Sequence, residues 1–211
     1  MTGARENVMY NRLWLIPIVM ALGSCRIVSQ QELADLKNPP NPHMANIGQL
    51  WQQKLVPQIV AQAKPLGELT QRLQSEKDLD SACRALGYRA QSENPCIFSV
   101  SVSGEVTVLD TTSRNGKMKV KAASGDTVTI QIGPIIRGTA LRDAYKGASY
   151  QDFNDQVMFS DFGKAINQQA VTMIHNAAVK PGDRVDVVGV FSSWDIPHAL
   201  PDITPAQITR Q

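Results

Sequence analysis

The order of strand-like and helix-like segments in the second half of the chain restricts the fold more than any other sequence feature. Three segments alternate apolar and polar residues with the period of a half-buried β-strand: residues 97–109, Met118–Lys121 and Thr127–Ile132. A bend is expected at Ser103–Gly104, and Asn115–Gly116 has the composition of a tight hairpin turn. After a helical interval, two more strands are predicted at Arg184–Phe191 and near Asp202–Thr209.

The interval between the third and fourth predicted strands has helical periodicity. A short helix is expected at Thr139–Tyr145, a second helix start at Ser149–Gln156, and a longer helix at Asp161–Ala178. Three strands, a helical interval and two strands are the order of an OB-fold, a five-stranded and partly open barrel. A small β-sandwich is the alternative, but sandwiches rarely place so much helix between consecutive strands. The sequence therefore predicts an α+β chain with an OB-fold-like five-stranded β-barrel and a helical insertion between strands 3 and 4.

An N-terminal helical segment, residues 47–90, is predicted to pack on the barrel domain, residues 91–211. Its first helix has one broad apolar face, formed by Ile47, Leu50, Trp51, Leu55, Ile59 and Val60. Pro57 should kink or divide this helix, because proline has no backbone N–H to donate. Two shorter helices are expected at Leu66–Leu73 and Asp80–Leu86.

The first 24 residues have the layout of a secretion signal. Arg5 and Arg12 form a cationic start, the uncharged apolar run Leu13–Leu22 follows, and two small residues precede Cys25. The apolar run is too short to span a bilayer, which needs roughly 20 residues. We therefore predict a signal peptide over residues 1–24 that is removed from the mature chain.

The sequence Leu22-Gly23-Ser24-Cys25 resembles the bacterial lipobox. That resemblance implies a lipid on Cys25, which holds the protein to a membrane because each buried acyl CH₂ contributes about 0.8 kcal/mol. An ordinary secretory signal with an incidental cysteine is the alternative. Arg26 stands where inner-membrane lipoproteins of the enteric type carry Asp, so the resemblance favours the periplasmic side of the outer membrane. Residues 25–46, rich in proline, are predicted to form an extended tether.

The remaining cysteines and the charge limit the possible functions. Cys83 and Cys96 are predicted to form a disulfide, because secreted chains fold in an oxidising compartment; two buried free thiols are the alternative. The net charge of +2 over 211 residues, without a basic block, argues against nucleic acid as a partner. The three histidines are scattered, so neither a metal site nor a cofactor is predicted.

A cluster of charged residues around the predicted insertion is the candidate binding site. Arg137, Arg142 and Asp143 surround a turn, and arginine offers a planar fork to a carboxylate, a phosphate or a sugar hydroxyl. Alternatively, Arg142 or Arg137 pairs with Asp143, Asp152 or Asp161 and holds the insertion to the barrel. An amide side chain can both donate a hydrogen bond to a hydroxyl and accept one from it. Three amide residues could extend the site: Asn154, Gln156 and Asn167.

Two tryptophans are candidate platforms for stacking a sugar ring. Trp51 lies on the apolar face of the first predicted helix, so packing in the core is the favoured interpretation. Trp194 follows a predicted strand beside Asp195 and Pro197, in a loop where exposure is expected. Only Trp194 is therefore expected to be available to a ligand.

The segments Gly133–Ala144 and Ser149–Gln156 are distinctive, and they resemble an uncharacterised family of predicted periplasmic bacterial lipoproteins with a domain of unknown function. The resemblance extends from Leu50–Trp51 to Ile203–Pro205, essentially the whole mature chain. Asp155 departs from the family pattern, which has an amide there. Members are often encoded beside sugar ABC importers, so the resemblance implies an accessory role in sugar uptake and no known reaction.

Nucleic-acid binding, a common use of OB-folds, is a third hypothesis that the low net charge argues against, and two functional hypotheses remain for the mature chain. The first is a non-catalytic, membrane-anchored lipoprotein that binds ABC importer components or a small sugar. The second is an envelope enzyme that acts on a glycan or a peptide, with Asp143 or Asp161 as the acid or base. No Ser–His–Asp order and no phosphate-binding glycine loop stands out, so the sequence favours the non-catalytic hypothesis.

Overall fold

The computed structural model describes residues 28–30, 32–33, 44–153 and 155–211. The predicted signal peptide, Cys25, most of the predicted tether and Asn154 lie outside the described residues. The chain divides into two compact units, Met1–Pro40 and Asn41–Gln211. In the first unit the structure describes one helical turn, in which the Leu33 amide donates to the Ser29 carbonyl at 2.9 Å. The elements below belong to the second unit.

Three helices precede the sheet. The first, α1, comprises an α-helix at Ile47–Leu50, a π-helical turn at Trp51–Leu55 and an α-helix at Val56–Gln62. The break predicted at Pro57 takes the form of this π-helical turn, so the helix changes its winding and continues through the proline. The next two helices are α2, Leu66–Ser75, and α3, Leu79–Leu86.

Among the described residues, five long strands form a curled antiparallel sheet: β1 (Cys96–Asp110), β2 (Asn115–Ala122), β3 (Thr127–Pro134), β4 (Arg184–Ser193) and β5 (Thr204–Arg210). Two further two-residue strands pair with β1, Lys64–Pro65 in parallel and Gly87–Tyr88 antiparallel. The spatial order of the five long strands is β3-β2-β1-β4-β5. The two outer strands meet at a parallel bridge between Ile130 and Ile203. There the Gln131 amide donates to the Ile203 carbonyl and the Ile203 amide to the Thr129 carbonyl, both at 2.8 Å. These hydrogen bonds join the two edges of the curled sheet, and the strands follow one another along the chain in the predicted succession.

Two predicted details of the first hairpin are wrong. The turn lies at residues 111–114, and Asn115–Gly116 instead begins β2. A Cβ atom on Gly116 would lie 2.5 Å from the Gly133 carbonyl oxygen, so this glycine permits close approach of β3 rather than a turn. The bend predicted at Ser103–Gly104 is also wrong, because β1 pairs without interruption with β4 across these residues.

The connection between β3 and β4 contains α4 (Ala140–Ala144), a 3₁₀ turn (Tyr150–Asp152) and the long helix α5 (Gln156–Ala177). The start of α5 was predicted five residues too late, at Asp161. Asp155 caps the helix earlier, since its carboxylate accepts a hydrogen bond from the Met158 amide at 2.8 Å.

Asp155→Ala should lower the free energy of unfolding by about 1 kcal/mol, because it removes the side chain that caps α5. Asp155→Asn should retain most of that stability, since asparagine is an equally good capping residue. The family has an amide at this position, and we therefore expect the aspartate of this chain to be neutral for stability. Urea denaturation followed by circular dichroism measures both variants; equal losses in the two would contradict the capping role.

The buried side chains form two cores. The first fills the barrel and joins it to α2 and α3; it includes Leu69, Leu86, Phe98, Val120, Ile130 and Val187. The second lies between α1, α4, α5 and the outer side of the sheet; it includes Trp51, Leu55, Leu141, Phe162, Ile166 and Val190. Every described residue of both cores lies between Met44 and Ile208, so a chain beginning at Arg26 contains them all.

Candidate functional site

Arg142 and Asp143 form an ion pair at the junction of α4 and α5. Arg142 Nη2 and Nε lie 2.7 and 2.8 Å from Asp143 Oδ1. The other carboxylate oxygen accepts a hydrogen bond from Thr139 Oγ1 at 2.6 Å. The guanidinium also lies 3.9 Å from the centre of the Phe159 ring, a cation–π contact to α5. The two side chains are only 15% and 26% exposed, so most of their polar surface faces these protein partners.

Arg137 lies on the loop that leads from β3 to α4, and its side chain is exposed. Its backbone is held by Gln131: the Arg137 amide donates to Gln131 Oε1 at 2.8 Å, and Gln131 Nε2 donates to the Arg137 carbonyl at 3.3 Å. Gln131 Nε2 also lies 3.0 Å from Thr204 Oγ1, which joins this loop to β5. Sequence reasoning did not find Gln131, because its role depends on the contact between β3 and β5.

Two of the three candidate amide residues are described by the structure, and they have separate locations. Asn167 Nδ2 donates to the Gly138 carbonyl at 3.0 Å and to the Ile136 carbonyl at 3.4 Å, so it fixes the loop before α4. Gln156 is the exposed first residue of α5. Asn154 lies outside the described residues. The structure therefore brings Arg142, Asp143 and Asn167 together around one loop, where their contacts hold the insertion in place.

A disulfide joins the helical segment to the barrel. Cys83 of α3 and Cys96, the first residue of β1, are bonded with their Cα atoms 5.8 Å apart. Both side chains belong to the first core and are buried. Sequence reasoning named this pair from the compartment and the cysteine count, whereas the packing of α3 on β1 brings the sulfur atoms together.

The other carboxylates have ordinary local partners. Asp161 Oδ1 contacts Lys164 Nζ at 2.8 Å on the exposed side of α5. Hydrogen bonds from the Ser103 hydroxyl and, to a smaller extent, from the Gln211 amide lower the pKa of Asp186.

Within the described ranges, no group of three or more His, Cys, Asp or Glu side chains could hold a metal ion. In the same ranges, no helix combines the length and the apolar content that crossing a membrane requires.

A cavity of about 340 Å³ lies between the C-terminal part of α5 and the barrel, and sequence reasoning missed it. Its lining is mostly apolar and comes from β1, β2, β3, α5, β5 and the chain after α5; it includes Leu109, Met118, Ile132, Val171, Val179 and Ile208. No local motif marks such a site, because each element contributes only a few residues. A second hollow, about 330 Å³, lies near Glu105, Lys121 and Arg184 and is more polar.

Comparison with known families decides the relationship of the chain. The model of the family described as "Predicted periplasmic lipoprotein (DUF2291)" matches residues 15–209. The chain belongs to this family. The resemblance stated from Gly133–Ala144 and Ser149–Gln156 is thereby confirmed, and the family is one of predicted periplasmic lipoproteins with a domain of unknown function. No curated protein matches the chain.

One solved structure confirms the fold of this member of the DUF2291 family. An OB-fold protein from Thermotoga maritima has a TM-score of 0.60 and 14% sequence identity, and the match covers 80% of this chain and 97% of that one. An OBody bound to hen egg-white lysozyme was also found, with a TM-score of 0.26 and 16% identity over 54% of this chain and 79% of that one. The Thermotoga structure confirms the predicted OB-fold-like barrel; at this identity it bears on the fold alone.

Proposed function

We propose that this predicted periplasmic lipoprotein is anchored to a membrane by a lipid on Cys25 and acts by binding, as an accessory to sugar import through an ABC importer. The lipobox-like sequence Leu22–Cys25 supports the anchor, and the family description supports the compartment. The importer role rests on the resemblance of the sequence to this family. Arg26 after the cysteine favours the outer membrane.

The non-catalytic part of this proposal is carried by one observation: Asp143 and Asp161 each form an ion pair with a cationic side chain. A carboxylate that works as a general acid or base needs an environment tuned for proton transfer, by burial or by a like-charged neighbour. Asp143 instead contacts the Arg142 guanidinium, and Asp161 contacts the Lys164 ammonium. The two residues considered for acid–base chemistry therefore each have a cationic partner and no like-charged one among these contacts.

Trp194 provides a surface that a binding function can use. Its side chain is 72% exposed, and it lies in the connection between β4 and β5. OB-folds commonly bind oligosaccharides or oligonucleotides with this loop. A tryptophan ring can stack on a sugar or pack into a protein interface. The low net charge of +2 and the periplasmic assignment favour a sugar or a protein over nucleic acid.

Replacing the acylated residue tests the anchor. Wild-type protein should sediment with membranes, whereas Cys25→Ser should appear in the periplasmic fraction, because the thiol that carries the lipid is absent. Arg26→Asp is the matched variant for sorting: it should keep the protein on membranes and move it from the outer to the inner membrane in a sucrose gradient. Membrane association of Cys25→Ser at the wild-type level contradicts the proposed anchor.

Cross-linking in sugar-induced cells tests the importer role separately. Wild-type protein should be cross-linked to ABC importer subunits, and Trp194→Ala should reduce their yield if this exposed ring forms part of the interface. Val157→Ala, which trims another exposed apolar residue, serves as the control. A wild-type protein that is membrane-anchored and yields no importer subunit contradicts the accessory role and leaves the anchor intact.

A further inference from the structure

The cavity beside the C-terminal part of α5 is mostly apolar and is open to solvent on one side. Met118, Ile132 and Ile208 are buried residues of the barrel core and form its floor. Val171 and Val179 line it from α5 and from the chain that follows. The cavity thus extends the apolar interior of the barrel towards solvent.

Polar side chains are confined to the rim of this cavity. Thr111 and His175 are the lining residues whose side chains can form hydrogen bonds, and both are exposed. Among the described residues that line the cavity there is no lysine, arginine, aspartate or glutamate. A well-matched occupant therefore has an apolar body and one polar end. A sugar, which carries hydroxyls around its whole ring, would leave most of them without a partner in the interior.

The volume of the cavity is in the range of ligand sites. Pockets for small molecules commonly measure about 300–1,000 Å³, and this cavity measures about 340 Å³. An engineered cavity of about 150 Å³ in another protein stays dry and takes up benzene. The volume here is therefore sufficient for a molecule larger than benzene, such as a short aliphatic chain.

The C-terminus of α5 influences which polar group a ligand can place at the rim of the cavity. α5 ends at Ala177, and His175 and Ala178 of its terminal turn line the rim. The last carbonyl groups of a helix point outward and carry a partial negative charge. Their partial negative charge disfavours a carboxylate at this rim, whereas a hydroxyl carries no charge and is not repelled. Ala178 adopts the left-handed conformation with φ of 47°, which is unfavourable for alanine and turns the chain sharply at this rim.

We propose that this cavity is a binding site for an uncharged amphiphile, a molecule with an aliphatic body and one terminal hydroxyl. The site is separate from the Arg142–Asp143 pair and from Trp194, and it does not depend on the anchor or on an importer. Its occupant enters with the chain against Met118 and Ile132, and its hydroxyl remains at the rim near Thr111 and His175.

1-Octanol and octanoate, which share chain length and differ in the polar end, test the proposal on the unlipidated chain from Arg26. At one hundred times its Kd, octanol should raise Tm by about 5–10 °C, because it binds the folded state alone. Octanoate should bind at least tenfold more weakly, and glucose should leave Tm unchanged. Absence of any octanol shift overturns the proposal, and equal affinity for octanoate overturns the assignment of an uncharged end.

Variants of α5 show whether octanol binds in the cavity. Val171→Phe should fill the cavity and weaken octanol binding more than tenfold, with an unliganded Tm at or above the wild-type value. Val157→Phe makes the same change on the same helix at a side chain that is 67% exposed, and it should bind octanol as the wild type does. Val179→Leu adds less volume and provides a second test if Val171→Phe does not fold. Undiminished binding by the folded lining variant overturns the site.

Discussion

The double variant Cys83→Ala/Cys96→Ala should unfold with a free energy about 3 kcal/mol lower than the wild-type protein, because it lacks the crosslink that restricts the unfolded chain. The disulfide spans 13 positions in sequence, a loop of the size for which this loss is expected. In Tm the loss corresponds to about 6–12 °C for a chain of this size. The effect should be confined to stability, since both residues are buried in the first core.

Urea denaturation of the chain from Arg26, with and without a reductant, measures this loss. The reduced wild-type protein should approach the double variant, whereas the reductant should not change the double variant. Each single alanine variant leaves a free thiol and should also lose the crosslink. A double variant within about 1 kcal/mol of the oxidised wild type contradicts a stabilising disulfide, since such bonds typically contribute about 2–4 kcal/mol.

Arg142→Ala should lower the free energy of unfolding by about 2 kcal/mol. The substitution removes the partner of a carboxylate that is only 26% exposed, and breaking a buried pair is more destabilising than breaking an exposed one. It also removes the contact with the Phe159 ring. Asp143 then retains the hydrogen bond from Thr139 as its remaining described side-chain contact.

Arg137→Ala is the matched control for Arg142→Ala. Arg137 lies on the loop before α4 with an exposed side chain, so its loss should change stability by less than about 0.5 kcal/mol. Arg142→Lys should give an intermediate loss, because lysine restores the charge without the planar fork. Full stability of Arg142→Ala contradicts the structural role; a loss of ligand or partner binding in that stable variant would instead assign Arg142 to a binding site.

The local sequence predicted the elements of the barrel better than their ends. Alternation of apolar and polar residues predicted the strands, because a half-buried strand has a period of two residues. Gly116 was misread as part of a turn, since the same residue type also serves where two backbones approach closely. The start of α5 was missed because an aspartate such as Asp155 caps a helix as well as it begins a turn.

The sequence named candidate site residues but could not give their arrangement. Arg142 and Asp143 are neighbours in sequence, and their pairing was one of the alternatives considered. The contacts of Arg142 with Phe159 and of Asn167 with the Gly138 carbonyl depend on the packing of α5 against α4 and the preceding loop. The cavity was not predictable at all, because its lining comes from elements far apart in sequence.

The sequence by itself determined the strand order, the family and the lipobox-like segment that ends at Cys25, since each depends on residues close together in the chain or on their order along it. The tertiary structure decided which polar side chains have hydrogen-bond or ion-pair partners and which apolar surface remains accessible to solvent. Asp143 and Asn167 have partners only once α4, α5 and the loop before α4 are packed together. The apolar cavity beside Val171 exists because the end of α5 does not fill the mouth of the barrel. Such features are set by packing between distant segments, which no local pattern encodes.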